Sequence, residues 1–281
     1  MKELHLEVRN LQKYYGEGRR VRVFQESGCN LKIYSGEIYV ILGGSGCGKS
    51  TLFRAILGVI PSEGYVSIKA PYSFLLTQNH FDLDSTLRDN FYEYYRSFGL
   101  EFELFEEYVE RNQALSLDNL SKECSYGTLR RFALYRTLFQ KSKLYFLDEP
   151  TTGFDFQNIL KIKDLLLRKP PDTSYFIVTH DKTLAGVATH YYLMSQKNHL
   201  ISKRTRGGLL RLEPLSLSSP LDLSLLRRIY RNDTEKFQIF YTSDLREYER
   251  VGKSLREGGV PHRSIWLDGS NFDKFVDFYF D

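Results

Sequence analysis

The stretch that decides the fold runs from Glu37 to Gly58, EIYVILGGSGCGKSTLFRAILG. Ile38 to Leu42 are continuously apolar, the pattern of a strand buried on both faces. G-x-x-x-x-G-K-S follows from Gly43 to Ser50, and then Leu52, Phe53, Ile56 and Leu57 recur at helical spacing. A glycine-rich loop between a strand and a helix is the setting in which this motif holds phosphates. The alternative is a plain glycine turn ahead of a core helix. Gly43, Gly44, Gly46 and Gly48 let successive backbone N–H groups wrap a phosphate chain, where a Cβ would block close approach. The helix N-terminus adds about half a positive charge facing the phosphates. Lys49 is placed to reach the β- and γ-phosphates, and the Ser50 hydroxyl to ligand Mg²⁺. Cys47 sits inside the loop, where its side chain is expected to lie against bound phosphate.

A second element follows, KLYFLDEPTTGFD from Lys143 to Asp155. Leu144 to Leu147 read as another buried strand, ending in Asp148 and Glu149. A carboxylate at a strand's C-terminal edge can hold Mg²⁺ through water, which suits Asp148. Glu149 is expected to face the γ-phosphate and accept a proton from attacking water. In isolation, such an acidic pair is as often a solvated strand end. SYFIVTHD gives a third strand ending at His180, and SFLLTQNHF a fourth ending at Gln78. His180 would reach the γ-phosphate; Gln78 would orient water or touch Mg²⁺. Each, taken alone, reads equally as an ordinary polar residue.

This order of motifs resembles the ATPase subunit of ABC (ATP-binding cassette) transporters over roughly residues 3 to 205. The resemblance places the phosphate loop on Gly43, Gly44, Ser45, Gly46, Cys47, Gly48, Lys49, Ser50 and Thr51. It places the Gln loop on Gln78, the metal aspartate on Asp148 and the catalytic glutamate on Glu149. TTGFD resembles the family's dimer-contacting loop, with its aspartate on Asp155, and the switch histidine falls on His180. Tyr15, in KYYG, looks like the aromatic that stacks on adenine; Tyr14 competes with it, and either could be a core residue. The family's signature, usually L-S-G-G-Q, binds the γ-phosphate of ATP held by a partner subunit. LSKE at Leu120 looks similar, but spacing back from RTLFQKSKLYFLDEP places the signature on CSYGT, Cys124 to Thr128. Ser125 and Gly127 keep the pattern; Cys124, Tyr126 and Thr128 depart from it. Ser125 can cap a helix whose N-terminal N–H groups face phosphate, and Phe132, Leu134, Tyr135 and Leu138 then suggest a buried stripe.

The 281 residues, 42% hydrophobic and 26% charged, suit a globular protein with one large core or a large and a small domain. No window reaches the roughly 18 apolar residues of a membrane helix, and MKELHLEVRN lacks the apolar core of a signal peptide. Three cysteines at unrelated spacings point to a reducing compartment, not a disulfide frame. A net charge of +4 reads as a solvated surface, and nucleic-acid binding is not expected.

Residues about 82–130 match the position of the family's helical subdomain. Phe91, Tyr92, Tyr94, Tyr95, Phe98, Phe102, Phe105 and Tyr108 crowd it, as local core or as a groove for a helix of the membrane subunit. HYYLMSQKNHLIS reads as a hairpin. Residues 206–234 read as a linker with an amphipathic helix over 221–231. Residues 235–281 read as a small β-α-β-α extension, with helical spacing at Leu245, Tyr248, Val251 and Leu255 and a final helix opened by Ser270. NFDKFVDFYF and TTGFD look like the drug, lipid or polysaccharide exporter subgroup.

The expectation is thus an α/β fold: a P-loop NTPase nucleotide-binding domain of ABC type over 1–205, with a C-terminal extension. The resemblance implies ATP and Mg²⁺. It also implies a homodimer or a heterodimer with a paralogous ATPase, and a separate transmembrane permease at whose cytoplasmic face the chain would work, in export. Two rivals are a soluble ABC ATPase without a transporter and a regulatory subunit that hydrolyses poorly, the latter suggested by Tyr126 and Thr128.

Overall fold

The structure, a computed structural model, describes residues 2–16, 21–24, 28–77, 81–112, 116–194, 200–202, 207–212, 227–232, 237–242, 245–257 and 262–267. In chain order the first half holds β1 (Leu4–Gln12), β2 (Tyr14–Tyr15), β3 (Val21–Arg22), β4 (Cys29–Tyr34) and β5 (Ile38–Leu42). Then come α1 (Lys49–Ile56), β6 (Glu63–Ile68), β7 (Tyr72–Leu75), α2 (Leu87–Ser97), α3 (Phe102–Asn112) and α4 (Tyr126–Leu138). The chain continues through β8 (Leu144–Asp148), α5 (Phe156–Leu167), β9 (Ser174–Thr179), β10 (His190–Met194) and β11 (Leu200–Ser202). It ends in β12 (Gly207–Leu212), β13 (Arg227–Asn232), β14 (Phe237–Thr242), α6 (Leu245–Glu257) and β15 (His262–Leu267). Two compact units divide these elements: one of Met1–Val8, Leu31–Val40 and Tyr65–Thr189, the other of Arg9–Asn30, Ile41–Gly64 and His190–Asp281.

In the first unit β7, β8 and β9 are parallel neighbours, with Leu75 opposite Leu147 and Asp148 opposite Val178. Every position of β8 and β9 is buried. That is the reason their sequences are unbroken apolar runs: helices cover both faces of a parallel sheet, so no position alternates to solvent. The shared direction brings Thr77, Asp148–Glu149 and Thr179–His180 out at one edge. Among the helices, α4 buries Arg130, Phe132, Ala133, Leu134, Tyr135 and Thr137. The expected stripe is therefore nearly all-round burial, which apolar spacing alone understates because a buried arginine and threonine carry no hydrophobic signal.

The aromatic crowd is mostly core. Phe91, Tyr95, Phe102 and Phe105 are buried, whereas Tyr92 and Phe98 are exposed. Ring centroids of Phe91 lie 4.9 Å from Phe105 and 5.6 Å from Phe132, so α2, α3 and α4 share one aromatic cluster. Thr86 caps α2 by accepting from the Asp89 N–H at 3.1 Å.

In the second unit β10 and β11 form the expected antiparallel pair; its turn lies outside the described residues. The linker expectation is corrected. Gly207–Leu212 is a strand inside a four-stranded antiparallel sheet of order β13-β14-β12-β15. Gly207 and Gly208, read as breakers, pair with Leu267 and Trp266; a strand flanked on both sides tolerates them. The helix expected over 221–231 is likewise corrected from Arg227 onward. Arg227–Asn232 pairs with β14, its register shifting between Arg228 and Tyr230. Long-range ladder bonds override a helical periodicity that is only local. Residues 221–226 and the final helix at Ser270 lie outside the described residues. β14, α6 and β15 appear as expected, and α6 buries Val251 and Leu255.

Phe91 joins three helices and is fully buried. Phe91→Ala should cost about 3–5 kcal/mol, read as a lower unfolding free energy in a urea titration followed by circular dichroism.

Candidate ATP-hydrolysis site

In the first unit the decisive group is Glu149. Its backbone N–H continues the sheet ladder for one more step, donating to Val178 O at 2.8 Å. Its φ is then +49°, one of two non-glycine residues with positive φ among those described. A residue held in this left-handed region stores on the order of 1 kcal/mol, and such strain gathers at functional sites. The carboxylate Oε2 accepts from Thr179 Oγ1 at 3.0 Å and His180 N–H at 3.1 Å, and meets His180 Nδ1 at 2.8 Å. Glu149 and His180 are thus in direct contact, with the imidazole exposed and the carboxylate partly buried.

Asp148 is fully buried, and its Oδ2 accepts from Thr77 Oγ1 at 2.5 Å. Gln78, the next residue, lies outside the described residues. Thr151 Oγ1 donates to Asp181 Oδ2 at 2.9 Å, tying the turn after Glu149 to the residue after His180. Sequence reading passed over Thr77, Thr179 and Asp181; their signal was a polar residue beside each expected ligand at a strand end. It also missed Arg130, wholly buried in α4, whose guanidinium donates to the carbonyls of Leu76, Asp148 and Glu149. No local pattern distinguishes such an arginine from a surface one.

The two candidate serines separate cleanly. Ser125 caps the 13-residue α4, accepting from Thr128 N–H at 3.1 Å. Ser121 starts a 3₁₀ turn of 3 residues, is fully buried, and accepts from Asn90 Nδ2 at 3.1 Å. Gly127 packs so closely that a Cβ there would meet Gly153 O at 2.6 Å. Tyr126, beside it, is 54% exposed. Asp155 caps α5, accepting from Asn158 N–H at 2.8 Å, and that bond holds its carboxyl below the usual range.

The phosphate loop lies in the second unit. Gly46 and Gly48 take φ of +75° and +97°, conformations that L side chains rarely adopt. Gly48 is the N-cap of α1 and supplies no side chain to its first-turn N–H groups. A Cβ on Gly44 or Gly46 would meet nothing within 4 Å, so the loop is open on those sides. Lys49 Nζ folds back to donate to Gly43 O at 2.7 Å and Gly44 O at 3.1 Å. This cradle of glycines, helix N-terminus and ammonium fits a chain of phosphates. Ser45 is exposed; Ser50 and Thr51 are half-buried in the first turn. The Ser50 hydroxyl in this unit is a hard oxygen donor, as, separately, is the Asp148 carboxylate in the first unit; that donor chemistry suits Mg²⁺. Cys47 is 2% exposed, with its Sγ close against Gly43.

Tyr15 pairs with Val21 and is 49% exposed, with Lys13 Nζ 4.8 Å over its ring. Tyr14 pairs with Arg22 and lines a cleft of about 260 Å³ with Gln12, Lys13 and Pro61.

Together these features define an α/β P-loop ATPase of ABC type. The ABC transporter family model matches residues 27–152. The lipoprotein-releasing system ATP-binding protein LolD of Rickettsia conorii is 30% identical over 212 residues, covering 68% of this chain and 95% of that protein. The zinc import ATP-binding protein ZnuC of Vibrio vulnificus is 30% identical over 167 residues, 57% of this chain and 63% of that one. Among solved structures, a putative metal-chelate type ABC transporter in an inward-facing conformation aligns with a TM-score of 0.60 at 20% identity, over 85% of this chain and 97% of that one. A dimeric ATP-binding cassette in a post-hydrolysis state, bound to ADP and Pi, aligns at 0.59 and 21%, over 71% and 99%. The chain belongs to the ABC transporter family and is an ATP-binding, ATP-hydrolysing subunit. No described helix is long and apolar enough to cross a membrane.

The burial of Cys47 sets an expectation for thiol chemistry. A thiol reagent should label Cys47 slowly in the native chain, equally with and without ATP, and rapidly in urea. Fast labelling that ATP suppresses, read by peptide mass spectrometry, would place the thiol on the phosphate side after all.

Proposed function

We propose that this chain powers an export-type transporter, working at the cytoplasmic face of a membrane on a separate permease subunit. Two copies, or one copy and a paralogue, would close around ATP and reopen after hydrolysis. The observation that carries the reading is the Glu149 carboxylate, gripped by Thr179 and His180 at a strand end in a chain that also has the phosphate loop.

In this mechanism the N–H groups of Gly43–Thr51 and the Lys49 ammonium bind the β- and γ-phosphates and neutralise their charge. Ser50, Asp148 and Gln78 would hold Mg²⁺, which would supply Lewis-acid polarisation of the phosphoryl oxygens. Glu149 accepts a proton from water as its oxygen attacks the γ-phosphorus and the bond to the ADP oxygen breaks. His180 orients that carboxylate through its ring and its N–H. Tyr15 stacks on adenine. Asp155 contributes to the dimer contact, while Ser125 and Gly127 complete the γ-phosphate site of the partner's ATP. Support for export comes from the tail and TTGFD strings and from similarity to a lipoprotein-releasing protein along nearly its whole length. A second reading, a poorly hydrolysing regulatory subunit, is favoured by one observation: an exposed Tyr126 stands where the signature has glycine.

Glu149→Gln should keep ATP binding and lose turnover by about 10²–10⁴-fold, measured as phosphate release beside nucleotide affinity; near-wild-type hydrolysis would sink the base assignment. Ser125→Ala should cut hydrolysis roughly tenfold or more, as expected for a lost charge-assisted hydrogen bond, with ATP affinity of the monomer unchanged. Ser121→Ala should leave turnover near wild type, since its hydroxyl serves Asn90. The opposite pattern would move the signature to Leu120–Glu123, and two active variants would favour the regulatory reading.

A further inference from the structure

Arg130 is charged, sits inside α4 and has no exposed surface. Its guanidinium serves backbone carbonyls at two strand ends. Nη1 donates to Leu76 O at 2.6 Å and lies 3.4 Å from Thr77 O, just past β7. Nη2 donates to Asp148 O and, at 3.2 Å, to Glu149 O, at the end of β8. A guanidinium presents its N–H groups in one rigid plane, so a single side chain can span both strand ends. The carbonyls of Asp148 and Glu149 belong to the two peptide groups that flank the Glu149 Cα. Holding both fixes the φ and ψ of that residue. The N–H of the first of these peptides is held too, by Val178 O at 2.8 Å. The left-handed turn at Glu149, φ +49°, is thus clamped on both sides, and that turn aims the carboxylate at Thr179 and His180.

We propose that Arg130 is a positioning residue for ATP hydrolysis: through the two peptides flanking Glu149 it sets the direction of the general base. The same contacts link that base to α4, the helix that begins at Ser125. The proposal rests on the reading of Glu149 as the base. It goes beyond that reading by placing control of the carboxylate in a residue with no exposed surface.

The test is steady-state ATP hydrolysis by the full chain as wild type, R130K, R130M, E149Q and the double variant R130M/E149Q, with ATP affinity measured alongside. R130M should lower kcat about 10–100-fold, the scale of a base displaced by about an ångström, while KM stays within about twofold of wild type. R130K keeps the charge but loses the planar fork and should fall between. The double variant should be no slower than E149Q alone, because misplacing an absent base costs nothing further. A wild-type kcat in R130M, a loss carried by KM, or an additive loss in the double variant would overturn the proposal. If R130M fails to bind ATP, R130K decides: a lowered kcat at unchanged KM supports the proposal, and an unchanged kcat overturns it. E149Q with near-wild-type turnover would remove the base reading itself, a result distinct from a fully active R130M beside an inactive E149Q.

Discussion

The parallel register between β8 and β9 is the constraint on which the proposed catalytic arrangement depends. Asp148 faces Val178, and the Glu149 N–H adds one further ladder bond to Val178 O before the backbone turns left-handed. Side chains alternate faces along a strand, so a slip of one residue would send the Asp148 carboxylate to the opposite face and carry Glu149 away from Thr179 and His180. Nothing at the strand ends could recover that loss. The register is fixed upstream, where Leu144 to Leu147 and Tyr175 to Val178 are buried on both faces, and any slip would put a polar strand end into apolar surroundings.

Burying Arg130 in that environment runs against its solvation, and burial pushes its pKa down while Tyr126, Asp148 and Glu149 draw it back up. A buried charge is tolerated only when it is well hydrogen-bonded or paired. The carbonyl oxygens of Leu76, Asp148 and Glu149 accept from the guanidinium at the two strand ends, so the buried charge is hydrogen-bonded where it sits. The arginine is therefore better accounted for by the strand ends it satisfies than by α4, where a neutral side chain would pack at lower desolvation cost.

Much of the fold was legible because its signals are local. Ile38–Leu42, Leu144–Leu147 and Tyr175–Val178 are apolar runs of strand length, and glycines with Lys49 and Ser50 mark the turn into α1. Ser125 was legible as a cap because an N-cap bond closes within three residues; Asp155, read only as the aspartate of a dimer-contacting loop, turns out to cap α5 in the same way. What escaped depends on distant partners. β12 contains Gly207 and Gly208 and becomes a strand only because β14 and β15 flank it. β13 carries a helical periodicity that pairing with β14 overrides. Arg130 reaches strand ends 18 to 54 residues away. The burial of Cys47 depends on how the loop packs, which composition does not encode.

The signature shows how a departure from a family pattern can be structurally cheap at one position and costly at the next. At 127 a Cβ would strike Gly153 O at 2.6 Å, a contact with backbone that no rotamer relieves. Glycine there is required by the packing of α4 against the turn after Glu149, whatever α4 binds. At 126 the side chain is 54% exposed, so tyrosine adds no strain to the fold. The helix N-terminus is still capped by Ser125, whose Oγ accepts from Thr128 N–H. The tyrosine therefore changes the surface offered to a docking partner while leaving the helix start intact. Its effect falls on what can approach α4, and the aromatic ring and hydroxyl it adds narrow that approach where glycine would leave it open.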